Sequence, residues 1–412
     1  MSGEDESSLA NVIGLPLQAA TYRERKRMKI IHTSDWHIGR EFESESLAGD
    51  QLAFIEWLVE TVRSHSVDLV IIAGDVWDKA VPKGEAIELL DTALSLLVDA
   101  GAQVLLIPGN HDSAQRLDFG ATRQGAGGVH ILAKEMISPQ LQIVRCGDQE
   151  VAVIGIPYLD PHRVPAPNAD DAGQPRARTH QNVLADALDR ARSMLDEYSG
   201  LASIVVAHAF VAGSSTSDSE RHNVGGADRV DVALFDGFDY VALGHLHRPQ
   251  ELGRPSIAYS GSPLPYSFSE DHQKSVRLIK LRNGAPIEVA TIDIPVGRPV
   301  HTVTGTLDEL LTDSALTSFE GHWIAARLTN EQVVLEPMQR LRRRFPHVTS
   351  VAYVARTRQS SDAANGQSPS LVSRAPEETV KEFLQEMRDH DWTDSERDLV
   401  FEATRVAAEQ ES

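Results

Sequence analysis

Four short stretches each follow an apolar run and end it with oxygen or imidazole donors. They are "SDWHIG" with Asp35 and His37, "GDVWD" with Asp75, "GNHD" with Asn110 and His111, and "GHLH" with His245 and His247. A fifth, "VVAHA", closes a Val-rich run on His208. Asp75 poses the question most sharply, because the run before it, Leu69-Val70-Ile71-Ile72-Ala73, reads as a strand buried on both faces. A bare carboxylate in such a place costs on the order of several kcal/mol, so it needs a partner. Mixed carboxylate, amide and imidazole donors suit Mn, Fe or Zn, and the single cysteine, Cys146, rules out a Cys-based zinc site. In Asp35-x-His37 and His245-x-His247 the two side chains lie two positions apart, so an extended backbone would point both to one face. Gly74, Gly109 and Gly244 beside these ligands predict tight turns.

Taken singly, each stretch has a blander reading. A lone histidine such as His208 at a strand end is usually a satisfied core or surface residue, "GD" and "GN" are mostly turn signals, and "GHLH" alone reads more often as a loop with two exposed imidazoles than as a metal site. Their joint order carries the metal reading, since sites in open α/β sheets form outside the carboxyl ends of strands. His32, three positions before Asp35, points to the other side if alternation holds, and reads as structural. Trp36 and Trp77 lie one and two positions after the candidate ligands Asp35 and Asp75; packing is the default for them and stacking on a DNA base the alternative.

The elements that must position these residues alternate. "KIIHTSD", "DLVIIAGD" and "AQVLLIPGN" read as strands, with helices over 47–64 and about 84–100 between them. This βαβ series predicts an α/β fold with a parallel sheet. Further strands are expected at "LQIVR", "EVAVIGIP", "ASIVVAHA", "YVALGH", "PSIAYSG" and "SVRLIKL", and a helix around 181–198. Residues 161–180 and "GSSTSDSER" read as surface loops, the latter ordered by substrate. After about residue 297 the pattern changes to a small α+β unit, with strands at "PVHTVTG", "HWIAARLT" and "VTSVAYV" and helical stretches near 306–312 and 333–344. The dense basic run "RLRRRF", Arg340 to Phe345, offers either a solvated helix face or a contact to DNA backbone. The expected organisation is a disordered extension over 1–27, a main domain over 28–296, a capping domain over 297–355, a linker over 356–375 and C-terminal helices over 376–412. In the last, Val380, Phe383, Leu384 and Met387 form an apolar stripe, and Thr393 with Glu396 matches a capping box.

At 412 residues the chain can bury a sizeable core, and 41% apolar with 24% charged residues is ordinary for a globular protein. A net charge of −21 argues against a protein that coats nucleic acid nonspecifically, but not against an enzyme that handles phosphates through bound cations. No apolar stretch approaches a membrane span and the N-terminus is polar, so a cytoplasmic enzyme with no membrane partner is expected.

The order D-x-H, GD, GNH[DE], a later His and G-H-x-H resembles the calcineurin-like metallophosphoesterases. Within them, "IIHTSDWHIGR", "IIAGDVWD", "IPGNHDSAQRL", "SDSERHNVGG" and "YVALGHLHRPQ" are similar to the SbcD family of nuclease subunits, from Met28 to about residue 295. The resemblance implies a sandwich of two mixed β-sheets flanked by helices, plus the capping domain and a C-terminal helical pair. It implies two divalent ions, with manganese as the expected metal: Asp35, His37 and His247 on the first, Asn110, His208 and His245 on the second, and Asp75 bridging. His111 would face the scissile phosphate, Asp112 would orient its ring, and Arg116 would contact phosphate. Asp78 stands where some relatives carry a further histidine and receives no catalytic role. The implied function is a DNA nuclease, exonuclease on double-stranded ends and endonuclease on hairpins or single strands. It would act in repair and recombination with an SMC-like ATPase of the SbcC type, as a homodimer within a heterotetramer. The competing readings are a phosphomonoesterase or cyclic-nucleotide phosphodiesterase on the same fold, and a scaffold that has lost catalysis.

Overall fold

The Val- and Ile-rich runs become strands at the centre of two six-stranded sheets. The computed structural model describes residues 27–119, 121, 125–133, 138–169, 173–220 and 229–354, with Thr393 and Arg397 beyond them. The first sheet runs in the order Glu288–Asp293, Ser275–Leu281, Met28–Thr33, Leu69–Ala73, Gln103–Ile107, Val129–Ile131. Its last four strands are parallel, and Ser275–Leu281 pairs antiparallel with both its neighbours. The second sheet runs Gln250–Leu252, Arg254–Tyr259, Tyr240–Gly244, Ala202–His208, Gln149–Ile156, Gln140–Cys146, with four parallel strands in the middle and an antiparallel partner at each edge.

Alternation along each strand splits the apolar runs between two cores. Ile30, Ile71 and Leu105 face Val153, Val206 and Ala242 between the sheets. Ile31, Val70 and Leu106 face outward onto Phe54, Leu58, Leu90 and Leu97 of the helices Ala48–His65 and Gly84–Asp99. On the far side, Ile154, Val205 and Val241 pack on Val183, Leu184 and Leu188 of the helix His180–Leu195. The result is four layers, helix, sheet, sheet, helix, which is the expected sandwich of mixed sheets. Each fully buried Val, Leu or Ile contributes about 1.5–3 kcal/mol relative to exposure. With both faces of the strands buried, neither can take a polar residue cheaply, so chemistry is confined to their tips.

Residues 300–353 form a smaller sheet of three parallel strands, Val300–Gly305, Trp323–Leu328 and Val348–Tyr353. The helices Leu307–Thr312 and Pro337–Leu341 bury Leu310 and Leu341 against Val303, Ile324 and Phe345. Strand and helix alternate here in the order the sequence suggested, and with all three strands parallel the unit is a βαβ arrangement. It meets the main body through Phe42, Leu264, Tyr266, Val300 and Trp323, with the Phe42 and Trp323 rings stacked at 5.4 Å. The basic run is largely spoken for within the chain: Arg340 reaches Asp308 at 3.4 Å, Arg342 reaches Glu45 at 3.7 Å, and Arg344 reaches Glu320 at 3.1 Å. That favours the helix-face reading over DNA contact.

Within the two six-stranded sheets three strands escaped the sequence reading, Val129–Ile131, Gln250–Leu252 and Glu288–Asp293, all short or at sheet edges, the last largely exposed. The described residues up to Val354 form one compact unit. The expected N-terminal extension, linker and apolar stripe lie outside the described residues. Among the described residues no helix is long and apolar enough to cross a membrane.

Candidate metal centre

The ligands converge because the chain curls sharply where the strands stop. Asp35, His37, Asp75 and His245 all take positive φ, at 53°, 44°, 49° and 108°. Extended backbone was the expectation for Asp35-x-His37 and His245-x-His247; the left-handed turns correct it. Such conformations cost about 1–3 kcal/mol each for residues with a Cβ, so the surroundings must impose them. They do: Asp35 N–H donates to the Gly74 carbonyl at 3.0 Å, and His37 N–H to that of Asp75 at 2.9 Å, zipping together the loops after adjacent parallel strands. Of the three glycines, Gly74 has the positive φ, 91°, and a Cβ there would meet His208 Nδ1 at 2.3 Å. Gly109 is needed for space, since its Cβ would lie 2.2 Å from Asp75 Oδ1.

All seven predicted ligands meet in one place. Ligating atoms of Asp35, His37 and His247 lie within 4.8 Å of one another, as do those of Asp35, Asp75 and His208. His37 Nε2 and His247 Nε2 stand 3.2 Å apart. Asn110 Oδ1 is 3.0 Å from both His208 Nε2 and His245 Nδ1. Between the two groups sits Asp75, with Oδ2 at 3.6 Å from His37 Nε2 and 3.5 Å from His208 Nε2. Its other oxygen accepts from the His111 N–H at 2.8 Å.

The donor chemistry fits cations. His208 Nδ1–H donates to the Ala73 carbonyl at 2.9 Å, so its Nε2 must face Asn110 Oδ1 either as a lone pair against a lone pair or with a positive charge between or upon them. Without a cation, that charge is a proton. Burial opposes it, but Asp75 and Asp35 raise His208 to about 9. Burial likewise works against ionised Asp75, yet His208, His37 and His111 hold its carboxyl well below the usual range. Asp35, buried and next to Asp75, is pushed up to about 6 in spite of its histidine neighbours. The cluster therefore favours positive charge at its centre, and its carboxylate, amide and imidazole donors fit divalent ions.

His111 lies at the rim, in an open polar cleft of about 290 Å³ lined also by Gly39, Arg40, Glu41, Asp78, Lys79 and Ser219. Its Nδ1–H donates to the main-chain carbonyl of Asp78 at 2.8 Å, and its Nε2 lies 3.9 Å from Asp75 Oδ2. The ring is thus oriented by Asp78, to which the family pattern gives no catalytic role, and this corrects the part expected of Asp112. Both oxygens of Asp112 accept main-chain N–H groups, from Val76 at 3.0 Å, Trp77 at 2.9 Å and Gly109 at 2.9 Å. Asp112 staples two ligand loops rather than aiming the imidazole. Arg116 is exposed on the short helix Ala114–Leu117 and is not among the residues that line the cleft. His32 is structural as read: its ring bonds the Tyr240 hydroxyl at 3.0 Å and the Leu243 carbonyl at 3.2 Å. Trp36 and Trp77 are buried in the outer core, so packing is their role.

Sequence reasoning missed the layer behind the ligands. His247 Nδ1–H faces Glu270 Oε1 at 3.0 Å and Ser219 Oγ at 2.7 Å. The Tyr266 hydroxyl donates to the Trp36 carbonyl at 2.6 Å, and its ring meets those of His37 and His247 edge-on. Ser219 falls in a stretch already noted, but Glu270 in "SFSEDHQK" follows no apolar strand, and only a charged pair four apart marked it.

A family profile for calcineurin-like phosphoesterases matches residues 28–249, more than half the chain. The chain belongs to the calcineurin-like phosphoesterases, hydrolases of phosphate esters. Among curated proteins, the SbcD subunit of the SbcCD nuclease of Staphylococcus epidermidis is 28% identical over 331 residues, 79% of this chain and 86% of that protein. A second profile, described as a Type 5 capsule protein repressor C-terminal domain, matches residues 296–388. The likeness to SbcD subunits read from the motifs is borne out. Among solved structures, a dimetal phosphatase of Danio rerio is matched at TM-score 0.41 and 12% identity, over 65% of this chain and 99% of that one. A Thermus thermophilus protein is matched at TM-score 0.39 and 13% identity, over 65% and 100%.

Proposed function

We propose that this chain is a DNA nuclease holding two divalent ions, manganese in the cell, and cutting double-stranded ends exonucleolytically and hairpins or single strands endonucleolytically. Asp35, His37 and His247 would hold one ion, Asn110, His208 and His245 the other, and Asp75 would be shared by both. The observation that carries this reading is the convergence of seven ligands from five strand tips beside a cleft with His111 at its rim. Paired divalent ions supply Lewis acidity at the scissile phosphate and lower the pKa of water there. The chain's own residues do the rest. Asn110, neutral, contributes an oxygen without adding charge. His111, fixed through Nδ1 by the Asp78 carbonyl, presents Nε2 to the cleft, where it stabilises charge on the phosphate or protonates the leaving 3′-oxygen. An open polar cleft admits a strand of a polymer; a small ester would gain from enclosure.

The relative's name places it in a two-subunit nuclease, and on that basis we assign this chain an SbcC-type ATPase partner and a homodimeric arrangement within a heterotetramer. The C-terminal segment would dock the ATPase: truncation after about residue 372 should leave nuclease activity but abolish co-purification with the partner. We place the enzyme in the cytoplasm, where its DNA lies and where its single cysteine, Cys146, stays reduced.

The test is His111→Gln in the full chain with Mn2+. Cleavage of hairpin and linear duplex DNA should fall by about a hundredfold or more, while calorimetric titration still finds both ions. Vigorous hydrolysis of p-nitrophenyl phosphate by the unaltered chain with no DNA cleavage would replace this reading with the phosphomonoesterase one.

A further inference from the structure

Behind the first ligand group lies a charged pair that the mechanism above does not use. Glu270 is 1% exposed and Lys274 6%. Lys274 Nζ donates to Glu270 Oε2 at 2.5 Å and to Ser262 Oγ at 2.9 Å. Glu270 Oε1 faces His247 Nδ1 at 3.0 Å and also accepts from Ser219 Oγ. A second carboxylate, Glu220, accepts the main-chain N–H of His247 at 2.6 Å. Burying such a pair is a poor route to stability, because desolvation costs on the order of several kcal/mol per ion. Its geometry instead has a direction. Lys274 neutralises one carboxylate oxygen and the other is spent on a ligand's ring.

In the second ligand group the support for His208 is of another kind. There His208 Nδ1–H donates to the neutral Ala73 carbonyl, and the oxygen ligand is the neutral amide of Asn110.

We propose that Glu270 is a positioning residue that fixes His247 as the Nδ1–H tautomer, with the Nε2 lone pair aimed at the ion shared with His37 and Asp35, and that Lys274 is the counter-charge that lets it stay buried. Its influence is one-sided: it acts on one ion of the pair and not on the other. Ser219 ties the Ser217–Glu220 segment to the same carboxylate, so that segment is held in register with the same half of the centre. This inference rests on the dimetal reading of the site and is independent of which phosphate ester is cut.

The test titrates the full chain with Mn2+ alone, by calorimetry and by electron paramagnetic resonance of the coupled pair. Glu270→Gln by itself would strand the Lys274 charge, so the first variant is Glu270→Gln with Lys274→Met. A second, Glu270→Asp, keeps the ion pair but withdraws the carboxylate by one methylene. In each, one Mn2+ step should weaken about ten- to a hundredfold, the range for loss of a partner behind a ligating histidine, while the other moves by less than about threefold. The coupled-pair signal should then need correspondingly more Mn2+. If the double variant does not fold, Glu270→Asp decides alone. Two unchanged steps, or two equally weakened ones, overturn the inference. An unaltered chain that binds fewer than two Mn2+ overturns the dimetal reading with it, whereas DNA left uncut by a chain that binds two ions unequally strikes only the nuclease proposal.

Discussion

The two halves of the proposed metal centre are made of similar residues and supported by different ones. On one side Asp35 adds a full charge, and His247 leans on the buried Glu270–Lys274 pair. On the other, Asn110 adds none, and His208 leans on a main-chain carbonyl. Asp75 is shared. Histidine offers a metal its lone pair only when the other nitrogen is told where its proton belongs, and a carboxylate and a carbonyl both give that instruction. Only the carboxylate brings charge, which has to be neutralised in turn. The charged half therefore needed Lys274, Ser262 and Ser219 around it, while in the neutral half the end of a strand serves His208.

The largest effect belongs to the residue common to both halves. Asp75→Ala should lose both Mn2+ steps in calorimetric titration and reduce phosphoester hydrolysis to background. Two tight sites surviving in that variant would break the comparison at its hinge. Next comes Asp112, which belongs to neither half but holds their loops. Asp112→Ala orphans three main-chain N–H groups, and chemical denaturation of the metal-free chain should show a loss of about 3 kcal/mol or more. A variant as stable as its parent, but with a mispositioned His111, would restore the orienting role to Asp112.

The smallest effect concerns His32, buried between the sheets behind the centre. Burial and the nearby Arg277 lower its pKa from 6.5 to about 3. The unfolded chain takes up a proton near pH 6.5 and the folded chain only near pH 3, so between those values protons favour unfolding. The stability linked to His32 is complete above about pH 6.5 and drains away as pH falls toward 3. By pH 5 the loss is about 2 kcal/mol. His32→Gln should flatten the difference in denaturation free energy between pH 7.5 and pH 5 by about that amount, measured without metal. An unchanged difference would mean that His32 already carries its proton in the fold.

Much of this was legible in one dimension. The strand runs at "LVIIA", "QVLLI" and "ASIVVAH" were visible because both faces of those strands are buried, so nothing polar interrupts them. The ligands were visible because a polar residue closing such a run has to be explained. Glu288–Asp293 was not, since an exposed edge strand imposes no apolar pattern. Nor was the conformation of Asp35 and His37, whose positive φ comes from hydrogen bonds to a loop about forty positions away. Asp112 sits next to His111 in the chain, and adjacency suggested a partnership that the fold gave to the carbonyl of Asp78.

By itself, then, the order of residues determined which side chains can bind metal and which strands must be buried, because apolar continuity and donor chemistry are local properties written along the chain. Tertiary structure alone decided how the ligands are aimed and which buried charges serve them. Glu270 lies 23 positions from His247 and Asp35 lies 210 from His245. Only the stacking of one sheet on the other brings such groups within hydrogen-bond reach, and in that dry interior each charge must find its counterpart.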